Sequence, residues 1–144
     1  MGTSLGMWTL FTNGASNVKE SGLGIVLKPP TGGMIRQFIK TTKLTNNEAE
    51  YEAMIAGLEL AKGLEAEVIK AKCDSLMVVN QVNGNFEVRE DKMQGYLDKI
   101  QVTLHHFKEW TLVHIPREQN SEDDALANLG SSVEEDDILL GVVI

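Results

Sequence analysis

The chain has little that would let it be secreted, span a membrane or grip nucleic acid unaided. It contains one cysteine, Cys73. A lone thiol cannot make an internal disulfide, so a reducing compartment is expected. No histidine lies near Cys73 in sequence, and at the end of an apolar run it reads as a small buried hydrophobe rather than a nucleophile. No apolar run approaches the ~20 residues of a membrane span. The first residues, MGTSLG, carry no basic stretch followed by an apolar one, so no signal peptide is expected and the expected location is intracellular, cytoplasmic or nuclear. Basic residues are scarce: 13 Lys and Arg stand against 21 Asp and Glu, a net charge of −8. Phosphate attraction needs clustered Lys and Arg, so strong unassisted binding to nucleic acid is not expected. The acidic excess suits a protein whose carboxylates are offset by cations, one that borrows grip from a neighbouring domain, or an ordinary acidic protein. Internal repeats and low-complexity tracts are also lacking.

What is there fits one domain. A length of 144 residues suits a single core. Residues 1–6 read as an N-terminal extension, 7–132 as the domain, and 133–144 as a tail that begins acidic and ends apolar. Met7 to Thr12 is β-prone and is expected to end in a tight turn at Asn13-Gly14. Gly22 to Lys28 and Met34 to Lys40 read as two more strands, separated by Pro29, Pro30 and Thr31-Gly32-Gly33. Thr45 or Asn46 can cap a helix that has Glu48 in its first turn, Ala49, Ala53, Ala56 and Leu60 as a core stripe, and Gly63 as a stop. Glu67 to Cys73 reads as a strand, and Leu76 to Val82 as a short helix closed by Asn83-Gly84. Asp91 to Phe107 reads as a longer helix with Met93, Tyr96, Leu97, Ile100 and Leu104 on one face. Glu109 to Ile115 is a fifth strand, broken by Pro116. Ser121 and Asp124 have capping-box spacing at the start of a last helix, Asp124 to Leu129. The order β-β-β-α-β-α-α-β-α predicts an α/β fold: a five-stranded mixed sheet, three strands antiparallel and then two parallel, flanked by helices.

That layout gathers acidic residues. Asp74 follows the fourth strand, and parallel sheets collect sites at strand ends. Glu50 and Asp124 each stand in the first turn of a helix. Asn13 follows the first strand, which this topology puts at the sheet centre. Clustered carboxylates repel one another unless cations neutralise them. All-oxygen sites favour Mg²⁺ or Mn²⁺ over zinc. Two such ions ~4 Å apart can activate water on one side of a phosphodiester and stabilise the leaving oxygen on the other. Each carboxylate taken alone also has an ordinary explanation as a helix-start anion. Glu48, Glu52, Glu122 and Asp123 read as solvated or dipole-facing residues.

The local sequences carry a resemblance. TNNEAEYEA (Thr45–Ala53), CDS with LMVVNQVNG (Cys73–Gly84), and HIPREQNSEDDALANL (His114–Leu129) resemble the ribonuclease H domain of plant gypsy-class retrotransposon polyproteins. FTNGAS (Phe11–Ser16) matches that family's first motif except at Asn13, where the family has Asp. The likeness runs from about Trp8 to Ser131. It implies a ribonuclease H-like fold that holds two Mg²⁺ ions, with Mn²⁺ as substitute, on Glu50, Asp74, Asp124 and position 13. It implies that His114 helps protonate the leaving group or release product, and that Thr45, Asn46 and Asn47 read the RNA strand of an RNA–DNA hybrid through its 2′-hydroxyls. Lys43 matches a position that grips a DNA-strand phosphate. Without the likeness, His114 is an ordinary strand-end histidine, Thr45 and Asn46 are helix caps, and Lys43 is a solvated lysine. His105 and His106 receive no chemistry. The resemblance also implies a neighbouring reverse transcriptase domain. Residues 83–91 are short and carry one basic residue, Arg89, where many cellular members insert a basic protrusion. Weaker grip on the hybrid follows.

Asn13 alters the implied chemistry. An amide offers one neutral carbonyl oxygen, and its NH₂ cannot ligate a metal. Weaker two-metal binding and slower hydrolysis are expected. Asn13 is either an engineered change that traps substrate uncut or a natural loss. Three functions follow from the residues: a metal-dependent endonuclease acting on the RNA strand of hybrids, a hybrid-binding module without activity, or a protein-interaction domain that kept the fold.

Overall fold

In the computed structural model, which describes residues 6–16, 20–84 and 91–116, the chain opens with three strands: β1 (Met7–Ser16), β2 (Glu20–Lys28) and β3 (Ile35–Thr42). Helix α1 (Asn46–Gly63), strand β4 (Val68–Cys73), helices α2 (Leu76–Val82) and α3 (Asp91–Leu104), and strand β5 (Glu109–His114) follow. The strands form one sheet in the order β3-β2-β1-β4-β5. β1, β2 and β3 pair antiparallel, whereas β4 joins β1 and β5 joins β4 in parallel. Helical crossovers before β4 and β5 make those two pairings parallel, as the element order predicts. The ribonuclease H-type sheet expected from the sequence is thus observed.

Alternation along the strands separates two faces. Leu10 pairs with Leu27 and Ala71, Thr12 pairs with Ile25 and Cys73, and Trp8 pairs with Ile69. Leu10, Ile25, Leu27, Ile69, Ala71 and Cys73 join one buried cluster with Tyr51, Met54 and Leu58 of α1, Val78 of α2, and Met93, Leu97 and Ile100 of α3. All three described helices therefore cover the same face. Their burial of apolar area is the main stabilising term. On the other face, pairing brings Lys28, Lys70 and Lys72 around Thr9 and Phe11. The ammonium groups of Lys28 and Lys72 lie 5.2 and 5.3 Å from the centre of the Phe11 ring. Both are within cation–π range.

Several local expectations need correction. The Asn13-Gly14 pair does not turn the chain. β1 runs on to Ser16, and Asn13, Gly14, Ala15 and Ser16 pair with Gly24, Leu23, Gly22 and Ser21. Tertiary contact overrides the local turn signal there, because Gly14 lies directly under α1. The α1 stripe is centred on Tyr51, Met54, Ile55, Leu58 and Ala61; Ala49 and Ala53 are buried beside it, and Ala56 and Leu60 are only partly buried. Gly63 is the last residue of α1, and the left-handed backbone follows at Glu65, with φ 65°. Glu48 is buried rather than solvated. α3 ends at Leu104, three residues before the expected Phe107. Asn83-Gly84 closes α2 as expected, Gly84 taking φ 86°. Cys73 is buried and in no disulfide, as its apolar setting predicts. The helix expected from Asp124, the tail from residue 133, and Arg89 lie outside the described residues.

Candidate functional site

One row of residues crosses three parallel strands. Thr12 of β1 is level with Cys73 of β4, and Cys73 is level with His114 of β5. One step further along each strand come Asn13, Asp74 and Ile115. Ile115 N–H donates to the Cys73 carbonyl at 3.0 Å, so the β4–β5 ladder continues past His114. Asn13 and Asp74 are therefore neighbours at the centre of the sheet. Asn13 is 1% exposed. Its Oδ1 and both carboxylate oxygens of Asp74 are shielded from solvent. His114 is exposed at the end of β5, beside this row.

Glu50 reaches the same end of the sheet from α1. Its Oε1 accepts a hydrogen bond from Gly14 N–H at 3.3 Å. The approach needs glycine: a Cβ at Gly14 would lie 2.3 Å from the Ala49 carbonyl carbon and 2.5 Å from Glu50 N. The first turn of α1 is fixed by a reciprocal cap. Thr45 Oγ1 accepts from Glu48 N–H at 3.1 Å, and Glu48 Oε1 accepts from Thr45 N–H at 2.9 Å. Lys92 Nζ of α3 sits 2.6 Å from Glu48 Oε2. The hydrogen bond from Lys92, then the one from the Thr45 backbone, holds the Glu48 carboxyl below its ordinary value. Glu48 therefore anchors the helix start, while Glu50, two residues on, faces the sheet.

The proposed RNA-reading residues lie just upstream of Glu50. Thr45, Asn46 and Asn47 are exposed at the start of α1, and Lys43 is exposed before them. Thr45 uses its hydroxyl oxygen as the cap, which is the ordinary explanation of that residue. Ser16 and Ser21, which the sequence did not single out, grip this segment through Leu44. Only their tertiary approach to Leu44 reveals the contact.

The structure thus brings Asn13, Glu50 and Asp74 to one end of the sheet with His114 beside them, and sets Lys43 to Asn47 along the adjoining helix start. Asp124 lies outside the described residues. Among the described residues no group of three His, Cys, Asp or Glu side chains could hold a metal ion. Asn13 is not an acid, so Glu50 and Asp74 are the two carboxylates of the described set. The donors at hand are two carboxylates and an amide carbonyl, all hard oxygens, and that donor set fits magnesium or manganese.

Comparison with known proteins agrees with this fold. A family described as reverse transcriptase-like matches residues 11–130, a span that includes every candidate site residue from Asn13 to Asp124. Ribonuclease HI of Halobacterium salinarum is 33% identical over 121 residues, which are 82% of this chain and 61% of that protein. This chain thus spans under two thirds of the length of that relative. The crystal structure of ribonuclease H1 from the same archaeon superposes with a TM-score of 0.82 at 30% identity, covering 88% of this chain and 98% of that one. A ribonuclease H1 isolated from compost, solved in complex with an RNA/DNA hybrid, gives 0.75 at 28% identity over 84% of this chain and 94% of that one. The foamy viral protease–reverse transcriptase, solved with an RNA/DNA hybrid, shares the fold alone, at 20% identity and a TM-score of 0.74 over 92% of this chain and 21% of that one.

Proposed function

The chain belongs to the reverse transcriptase-like family of ribonuclease H-fold domains, and from that membership we propose that it engages RNA–DNA hybrids as a metal-dependent endonuclease of the RNA strand, impaired by Asn13. The observation that carries this reading is the meeting of Glu50 with Gly14, next to Asn13 and Asp74, at one end of the sheet. Glu50, Asp74 and Asp124 are the residues that would hold the magnesium ions, with the Asn13 carbonyl as a weak fourth donor. When bound, the metal supplies an activated water and charge stabilisation for the leaving oxygen. The protein supplies position: Glu50 is held by Gly14 N–H, and Asp74 is held by the end of a central strand. His114, exposed on the next strand, would give a proton to the leaving oxygen or help release product. Asn46 and Asn47 would hydrogen-bond 2′-hydroxyls in the minor groove, and Lys43 would meet a phosphate of the DNA strand.

Asn13 removes one negative charge from a site built to face cations. A loss of roughly 4 kcal/mol in transition-state stabilisation corresponds to about a thousandfold in rate. The same amide favours a second reading, a module that binds hybrids without cutting them. The net charge of −8 favours help from an attached domain, and a reverse transcriptase in a plant gypsy-class polyprotein is the proposed neighbour. The test is cleavage of a labelled hybrid in Mg²⁺ and in Mn²⁺ by this chain and by Asn13→Asp. Activity confined to the Asn13→Asp chain supports a disabled nuclease. Binding without cutting in both chains supports the module. Neither binding nor cutting in either chain sinks both readings.

A further inference from the structure

Leu44 is held between two serines. Ser16 of β1 and Ser21 of β2 are paired in register, their hydroxyl oxygens 2.9 Å apart. Ser16 donates to the Leu44 carbonyl at 2.7 Å, and Leu44 N–H donates to Ser21 Oγ at 2.8 Å. With the Ser16 proton committed, the Ser21 hydroxyl donates to Ser16 or, at 3.3 Å, to the same carbonyl. Lys43 Nζ lies 3.4 Å from Ser16 Oγ. Ser21 is 1% exposed. The Leu44 side chain packs on the buried cluster of Leu23, Ala49 and Ala53.

Two side chains thus satisfy both backbone polar groups of a residue that no helix or strand includes. A backbone group left unpaired in such a place is costly, so the pair fixes where this loop runs. Leu44 is the middle of the three residues joining β3 to α1, with Lys43 before it and the cap Thr45 after it. Moving Leu44 would move all the exposed polar groups from Lys43 to Asn47 together. The carboxylates are held differently, through Gly14 and the end of β4.

We propose that Ser16 and Ser21 are positioning residues that set where Lys43, Thr45, Asn46 and Asn47 meet the hybrid, and so set the preference for a strand bearing 2′-hydroxyls. This rests on the reading above that the segment contacts a hybrid. The pair controls selectivity between duplexes rather than the chemistry at the carboxylates.

The test compares binding of an RNA–DNA hybrid and a DNA duplex of the same sequence by the full chain and by Ser16→Ala, Ser21→Ala and Ser16→Thr. In the alanine variants the ratio of the two affinities should fall about fivefold, the scale of one or two lost hydrogen bonds. Ser16→Thr keeps the hydroxyl and should restore the ratio. Hydrogen exchange at the Leu44 amide should speed up in Ser21→Ala, which reads the clamp directly even if that variant melts lower. A general loss of folding would weaken both affinities alike and leave the ratio in place. An unchanged ratio in folded alanine variants, with the unaltered chain preferring the hybrid, overturns the inference alone. If the unaltered chain shows no such preference, the hybrid-binding reading falls and takes the inference with it.

Discussion

Gly14 N–H donates to Glu50 Oε1 across 36 residues of sequence, at 3.3 Å. The contact exists because Gly14 has no side chain. The first turn of α1 can then rest on β1, and Glu50 meets the residue that follows Asn13. Placement of a candidate metal ligand thus rests on a glycine that itself does no chemistry.

Gly14→Ala should therefore damage both fold and site. The new methyl would meet backbone atoms of Ala49 and Glu50 at 2.3–2.5 Å, where no flexible side chain can move aside. Overpacking of this kind costs about 1–3 kcal/mol, and a clash with backbone belongs at the upper end. For a chain of this size that is a fall of roughly 6–12 °C in Tm. Thermal melting checks it; a variant melting within two degrees of the unaltered chain contradicts the close approach.

Acid should loosen the start of α1. Glu48 sits below its ordinary carboxyl value of 4.5 because Lys92 and the Thr45 N–H favour its charged form. The unfolded chain then binds a proton more readily than the folded one. The stabilisation is complete above the unfolded value and fades as pH falls through the lower folded value. Lys92→Met should shrink this acid sensitivity. Near neutral pH it should cost under about 1 kcal/mol, because Lys92 is largely exposed. Urea midpoints from pH 3 to 7 read it, and parallel curves for the two chains would remove Lys92 as the cause.

Most of the architecture is legible in the sequence, because each strand is an apolar run and each helix has its own period. The sheet order follows from which strands a helix precedes. Misreadings occur where distant residues override local signals. Asn13-Gly14 carries the composition of a turn, yet it lies mid-strand because α1 needs the space that a side chain at Gly14 would fill. Glu48 looks like a solvated helix-start acid until Lys92 arrives from α3. Asn13, Glu50 and Asp74 stand out as a set from motif order, whereas Ser16 and Ser21 carry no local mark and gain meaning only when Leu44 is laid against them.

Alkali should destabilise the helix layer through two stacked tyrosines. The Tyr51 and Tyr96 rings lie 5.6 Å apart and nearly parallel, and the Tyr51 hydroxyl hydrogen-bonds Gln81 of α2. Burial pushes both phenols up from 10.0 to about 12, and Glu52 and Glu48 add to the rise at Tyr96. The folded chain holds these protons where the unfolded chain would lose them. Stability is therefore intact below pH 10 and falls between pH 10 and 12. Tyr96→Phe removes one of the two groups and should flatten the fall measured by urea titration across that range. An unchanged slope would mean that Tyr96 ionises as freely in the folded chain as in the unfolded one.

Asn13→Asp should exchange stability for metal affinity. A carboxylate at position 13 would stand one register step from the Thr12–Cys73 pair, next to Asp74 and close to the Glu50 contact at Gly14. Like charges gathered out of water raise one another's pKa and oppose folding. In chelator, the Asn13→Asp chain should be less stable by about 1–3 kcal/mol, the range in which most single changes fall. A cation bound by the folded chain and not by the unfolded one offsets this in proportion to the logarithm of its concentration. Millimolar Mg²⁺ should then raise the Tm of Asn13→Asp by several degrees and that of the unaltered chain by much less. Melting both chains in chelator and across a magnesium series separates this from a general salt effect, because calcium-free sodium chloride at matched ionic strength should move the two alike. Equal magnesium responses in the two chains would mean that position 13 does not face the ions, and the assignment of Glu50 and Asp74 as their partners would lose its footing.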